Sequence, residues 1–259
     1  MTDTTGSCKS GDPITDQGAA GQTGVGTQGL SESAGWHLPS HLRLWITAAV
    51  GLGLDLWTKD WAFTHLESDP NKDPLVIIPD VMTFRQSLNP GALFGLGKGL
   101  TAVFIAASVL ALAFVLFLFV HSGRHRRSLH LALGLVLAGA LGNLYDRTYM
   151  IADVVRCSAG GRRDTFVGKV IEQSDRGVVL GSWPSGAHPR LIRADWGPEI
   201  RQQGVVRDFI KMEPRIRLGS RTIEMWPWVF NVADSLLVVG VGLLMLNFWW
   251  ERRASRNPE

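Results

Sequence analysis

Cysteine is nearly missing from this chain: Cys8 and Cys157 are the two present among 259 residues. Two cysteines do not make a disulfide framework, and these are too few and too isolated for a zinc site. CxxC, HExxH and Walker-type phosphate loops are also missing, so no motif points to thiol redox chemistry, zinc hydrolysis or nucleotide binding. No metal and no cofactor is expected. An excess of one charge is lacking as well. Lys and Arg number 26 against 23 Asp and Glu, for a net charge of +3. The basic residues fall in short clusters, which read as signals of membrane topology, and no nucleic-acid partner is expected. Residues 1–40 carry no basic start followed by an apolar core, so a signal peptide is not expected there. Cys8 lacks the apolar stretch that precedes a lipidated cysteine. This segment is rich in Gly, Ser, Thr, Asp and Gln. It cannot bury enough apolar surface to offset its ordering entropy, and a disordered cytoplasmic tail is expected.

What the chain has is apolar blocks. Hydrophobic residues make up 46% of it, gathered near 42–61, 101–120, 129–146 and 228–250. "TAVFIAASVLALAFVLFLFV" (101–120) holds no charge and meets the roughly 20 residues needed to cross a hydrocarbon core of about 30 Å. "LHLALGLVLAGALGNLY" (129–145) is apolar until Asn143, and "LRLWITAAVGLGLDLWTKDWAF" carries Asp55 and Lys59 in its second half. "WPWVFNVADSLLVVGVGLLMLNFWW" (226–250) makes a fourth span, with Asp234 about two turns into it. "HSGRHRRS" (121–128) and "ERRASR" (251–256) place their ends inside the cell by the positive-inside rule. Both termini are then cytoplasmic, His41 and Arg43 flank the first span on its inner side, and the loops 62–100 and 147–227 lie outside. The fold class expected is an α-helical membrane protein of four transmembrane helices.

The second outer loop holds an insertion at 151–205. "TFVGKVIEQSDRGVVLGSWP" reads as a β-hairpin, because two β-branched apolar runs flank the turn-forming "SDRG". "PLVIIPDVMTFRQSLNPGALFGL" in the first outer loop also mixes extended apolar residues with a turn.

The polar residues in or beside the spans are more telling. Asp55 and Lys59 lie on the first span, Asn89 precedes the second, Asn143, Asp146 and Arg147 close the third, and Asp208 precedes the fourth, which carries Asn231 and Asp234. The topology above puts all of them at outer helix ends or beyond. Ionisable groups inside a bilayer cost about 2.5–3.5 kcal/mol at mid-helix and mark sites. Asn231 and Asp234 share one face by i,i+3 spacing, as do Asn143, Asp146 and Arg147 at i, i+3 and i+4. "DR" also fits a solvated charge pair at a helix end. Asp55 and Lys59, at i,i+4, fit an intrahelical ion pair worth about 0.2–0.5 kcal/mol in water. Asp208 and Asp234, two carboxylates at one depth, fit general acid–base work: close together they cannot both ionise cheaply, so one keeps a proton while the other activates a water. A serine route has less support, since Ser235 and Ser87 have no histidine at a corresponding position.

These residues together resemble the lipoprotein signal peptidase (type II signal peptidase) family of four-span bacterial aspartyl proteases. The match is an ordered set: "DLWTK" (Asp55, Lys59), "NPGALF" (Asn89, Gly91, Ala92, Phe94), "GNLYDR" (Gly142, Asn143, Asp146, Arg147), "VVRDFI" (Val206, Asp208, Phe209) and "FNVADS" (Phe230, Asn231, Ala233, Asp234, Ser235). It covers roughly 42–150 and 205–250. The resemblance implies a catalytic dyad of Asp208 and Asp234. It implies as substrate a prolipoprotein carrying diacylglycerol on its cysteine, cut just before that residue. Asn89, Gly91, Asn143, Asp146, Arg147 and Asn231 would line or support the site, with Asp55 and Lys59 steadying it. It further implies a β-cradle near 75–90 on the membrane surface, sensitivity to globomycin, contact with membrane lipids, a location in the inner membrane and a monomer.

Two departures stand out. The tail of residues 1–40 exceeds what the family needs, and about 60 residues separate "DR" from Asp208 where the family has few. Asp153, in "IADVV", is nearer to Arg147 and rivals Asp208 as the first catalytic carboxylate. Val206 and Phe209 flank Asp208 as the motif requires, and Asp153 lacks the following Phe. A proton-coupled transporter is an alternative, though transporter sites sit near the midplane. A non-catalytic assembly factor, its polar set gluing helices together, is another.

Overall fold

The computed structural model describes residues 33–69, 71–91, 101–218 and 221–256. Ala92 and Phe94 of the "NPGALF" stretch, Cys8 and residues 1–32 lie outside the described residues. Four long helices form one layer of the molecule: α1 (Leu38–His65), α2 (Thr101–Val120), α3 (Arg127–Tyr149) and α4 (Val232–Arg256). Two of them, over Arg127–Tyr149 and Val232–Arg253, are long and apolar enough to cross a membrane, and Ser108–Val120 is a shorter apolar helical stretch. Helix α1 is continuous, but its apolar run is interrupted by Asp55, Lys59 and Asp60.

The interior between the helices is filled by Leu44, Ala48, Val115, Phe119, Leu133 and Leu137. The outward surfaces are apolar too, with Leu110 71% exposed, Val238 74% and Met245 68%. Water disfavours such a surface and hydrocarbon does not. Helices α3 and α4 approach closely: a Cβ added at Gly139 would collide with the backbone oxygen of Ala233 and the side chain of Leu237. Small residues at such crossings let dispersion contacts form over whole helix faces.

One end of the bundle gathers both basic clusters. Arg126 pairs with Glu251, and Asn247 Nδ2 donates to Ser128 Oγ at 3.1 Å. The N-terminal segment joins them: Ala34 N donates to the Ser122 carbonyl at 2.8 Å, and Ser33 Oγ to the Val120 carbonyl at 2.6 Å. Residues 33–40, expected to belong to a disordered tail, are instead built into the fold. Ala34 is fully buried in the helix core, and Ala34–Trp36 form a helical turn leading into α1.

The opposite end carries the strands. β1 (Leu75–Ile78), β2 (Met82–Asn89), β8 (Val206–Met212) and β11 (Val229–Phe230) form one sheet in the order β1-β2-β8-β11. Residues 151–204 form a second, antiparallel sheet in the order β6-β5-β4-β3-β7, from β3 (Ile151–Ala159), β4 (Arg162–Ser174), β5 (Gly177–Gly181), β6 (Arg190–Arg193) and β7 (Glu199–Gly204). The stretch expected as a hairpin supplies β4 and β5, with Ser174 opposite Gly177 across a two-residue turn. Its first strand begins earlier, at Arg162. Val155, Val178 and Ile192 give this sheet a small apolar core of its own. Ile151 pairs with Gly204, so the chain leaves α3 and returns to β8 at nearly one point. A hairpin of β9 (Arg215–Leu218) and β10 (Arg221–Glu224) separates β8 from β11.

Candidate active site

Helix α4 begins at Val232, because Val229 and Phe230 pair with β8 as a strand before the helix starts. Asp234 therefore sits in the first turn of the helix, not two turns into it as the apolar run implied. Asn231 caps the helix: its Oδ1 accepts from Asp234 N at 3.0 Å, while Asn231 N donates to Asp234 Oδ2 at 3.3 Å. This reciprocal pairing is a capping box, and it satisfies two amides that the helix start would leave unpaired. Asp234 Oδ1 faces α3 and accepts from Asn143 Nδ2 at 2.8 Å.

The cap also reaches the second carboxylate. Asn231 Nδ2 donates to Asp208 Oδ1 at 2.6 Å. Asp208 is 2% exposed, on a strand whose residues Val206–Phe209 are all buried. Its other oxygen accepts from Asn89 Nδ2 at 3.2 Å. Asn89 is oriented by its own turn, with its Oδ1 accepting from Gly91 N at 2.9 Å. Gly91 has φ of 79°, which an L side chain resists. Burial, followed by the charge of Asp234, pushes the Asp208 carboxyl up to about 7, against the opposing pull of the Asn89 and Asn231 hydrogen bonds and the Lys59 charge.

Beneath the two carboxylates lies a buried charge network. Lys59 Nζ is 2.8 Å from Asp55 Oδ2 and 3.4 Å from Asp146 Oδ2, all three side chains fully enclosed, and it donates to Asn143 Oδ1 at 3.2 Å. Asp55 Oδ1 accepts from Ala233 N, at the start of α4, at 2.8 Å. A side chain at Gly142 would collide with the Asp55 carboxylate, which accounts for the glycine of "GNLYDR". Asp55 and Lys59 do form the i,i+4 ion pair, inside a buried network that joins three helices and not in water. Asp146 is no solvated end charge: it is fully buried and holds Arg207, through Nε at 3.2 Å, Nη2 at 2.9 Å and the backbone N at 2.9 Å. Arg147 lies within electrostatic reach of Asp208, Asp234 and Asp146.

Arg207 is the residue that sequence reasoning passed over. It was read as the unassigned middle of "VVRDFI". A buried Asp146 demands a cation, but that signal exists only once Asp146 is known to be buried. Asp153 lies elsewhere: it is on β3 in the other sheet, and its Oδ2 accepts from Val170 N at 2.7 Å. A cavity of about 700 Å³ is lined by residues of 65–76 and 84–87 and does not include the two carboxylates.

Comparison with known proteins identifies the family. Residues 47–250 match the family model described as signal peptidase (SPase) II. The lipoprotein signal peptidase of Desulfitobacterium hafniense is 30% identical over 84% of this chain and the whole of its own length. That of Rhodopirellula baltica is 30% identical over 77% of this chain and 68% of its own. A bacterial membrane enzyme solved by the in meso method at 2.3 Å shares the fold with a TM-score of 0.52 at 19% identity, over 88% of this chain and 97% of that one. The chain belongs to the signal peptidase II family of membrane proteases.

Proposed function

We propose that this protein is an aspartyl endopeptidase that removes signal peptides from diacylglyceryl-modified prolipoproteins, cutting before the lipidated cysteine. The observation that carries this reading is the Asn231 side chain, which holds Asp208 directly while its helix start holds Asp234. Asp208 keeps the shared proton, in accord with its raised carboxyl. Asp234 is the charged partner that takes a proton from an attacking water, and Asp208 donates to the carbonyl oxygen of the scissile bond. Asn89, Gly91, Asn143 and Arg147 position these groups and the substrate backbone. Asp55, Lys59 and Asp146 hold the helices that carry them. All four helices span the inner membrane in this reading. Both termini are cytoplasmic, the site faces outward, and the sheet β1-β2-β8-β11 lies at the membrane surface as a cradle. The enzyme acts as a monomer among its lipids. The printed names of the relatives, lipoprotein signal peptidases, support the substrate class.

The test is cleavage of a purified diacylated precursor. Asp208→Asn and Asp234→Asn each lower kcat by on the order of 10²–10⁴ or more, the range of a general acid or base, while the protein still inserts into membranes. Asp153→Asn cleaves normally. Normal cleavage by either dyad variant would falsify the assignment. Globomycin is expected to inhibit the wild type.

A further inference from the structure

A second cavity, about 310 Å³, lies between the inserted sheet and strand β2. Its walls include Phe63 of α1, Ser87 and Leu88 of β2, Phe166 of β4, and His188 and Arg190 of the insertion. Its size falls within the range of small-ligand pockets, and the reaction proposed above does not use it.

Asp208 lies one strand away from the cavity wall. Ser87 lies directly opposite Asp208 in the β2–β8 ladder, so their side chains share a face of the sheet. Strand β1 pairs with β2 up to Phe84, and among the described residues no strand pairs with Arg85–Leu88 on the side away from β8. That edge can take an added strand through main-chain hydrogen bonds, with side-chain pockets giving selectivity.

The walls are held in place. Ser182 Oγ donates to the Ser68 carbonyl at 2.9 Å, and His188 lies 3.5 Å from Glu67 and 3.6 Å from Asp69. Arg190 stacks over the Phe166 ring at 4.2 Å. The insertion is thus fastened to the end of α1 on one side of the cleft and pairs its own strands on the other.

We propose that this cleft is a subsite for the polypeptide downstream of the lipidated cysteine, bound as an extended strand beside Arg85–Leu88. From Asp208 across β2 to the cleft is about two strand spacings, roughly 10 Å, or about three extended residues. The cleft therefore receives the chain from about the third residue after the scissile bond. The signal-peptide side is apolar and stays with the lipid, whereas the downstream chain emerges into water, where the charged insertion stands. The subsite rests on the reading of Asp208 and Asp234 as the catalytic pair.

The experiment compares two diacylated precursors, one ending one residue after the cysteine and one carrying ten more. The wild type shows a KM lower by roughly fivefold or more for the long precursor at similar kcat, the mark of uniform binding. Thr165→Trp, which fills the cleft from β4 outside the catalytic machinery, abolishes that difference and leaves the short precursor unchanged. Equal KM for both precursors in the wild type, or equal slowing of both by Thr165→Trp, overturns the subsite. A photo-crosslinker on the fourth residue after the cysteine, bound to the Asp234→Asn enzyme, is expected to attach within 165–167 or 182–190. Attachment solely elsewhere also overturns it. If the wild type cleaves neither precursor, the reaction falls, and the subsite with it.

Discussion

The Asn231 side chain caps a helix and donates to the Asp208 carboxylate, while the Asn231 backbone N donates to the Asp234 carboxylate. That concentration makes Asp208 the residue whose titration shows most. Its carboxyl lies near 7 when folded, above its ordinary 3.8, because burial and the Asp234 charge disfavour ionisation. The folded state therefore holds this proton more tightly than the unfolded one. The contribution to stability is complete below about 4 and is lost as pH rises through about 7. Asp208→Asn removes that dependence, so the variant should gain stability relative to wild type between pH 5 and 8, by on the order of a few kcal/mol. Parallel unfolding curves that keep a constant offset over that range would refute it. Cleavage should fall on the alkaline side as the pair gives up its shared proton, with apparent values belonging to the pair. Arg207 yields a separate expectation. Removing Arg207 leaves the buried Asp146 with the longer Lys59 contact, so Arg207→Ala should cost about 3 kcal/mol, the lower end for a broken buried pair, with Arg207→Lys recovering part. Loss of less than about 1 kcal/mol, the worth of a surface pair, would show that Asp146 finds another partner.

At the level of elements, the helices were legible because apolar runs of about 20 residues, even with a few polar residues among them, have one economical conformation in lipid. Their starts were not. The run from Trp226 reads as one span, yet β8 captures Val229 and Phe230, and the Asn231 cap delays the helix. Strand pairing is a non-local event that periodicity does not report. The α3–α4 crossing gives the prediction at this scale. Gly139→Leu would force the helices apart where Ala233 passes, at about 1–3 kcal/mol of overpacking. Asn143 lies one turn further along α3 and would draw away from Asp234. Thermal stability and kcat should therefore drop together. A drop in stability with kcat retained would show that the site tolerates a shifted helix.

For the whole molecule, the two basic clusters meet at one end and the carboxylates lie at the other. This polarity yields a labelling experiment. Cys157 is buried. In a Cys8→Ser background, Arg176→Cys on the insertion should react with a membrane-impermeant thiol reagent in intact spheroplasts, and Ser255→Cys only after lysis. The reverse pattern would invert the orientation.

The sequence by itself determined the apolar spans, the five ordered motifs with their family, and the β character of the insertion. Each is local, carried by run length, spacing or turn residues. Val206 and Phe209 already set Asp208 apart from Asp153 in the sequence. Only the tertiary structure joined Asp208 to the start of α4 through Asn231, because β8 enters the sheet that meets that helix while β3 enters another. It also decided that Asp55, Lys59, Asp146 and Arg207 form one enclosed network. A charge's role follows from whether water reaches it, and that is settled by packing between segments far apart in the chain.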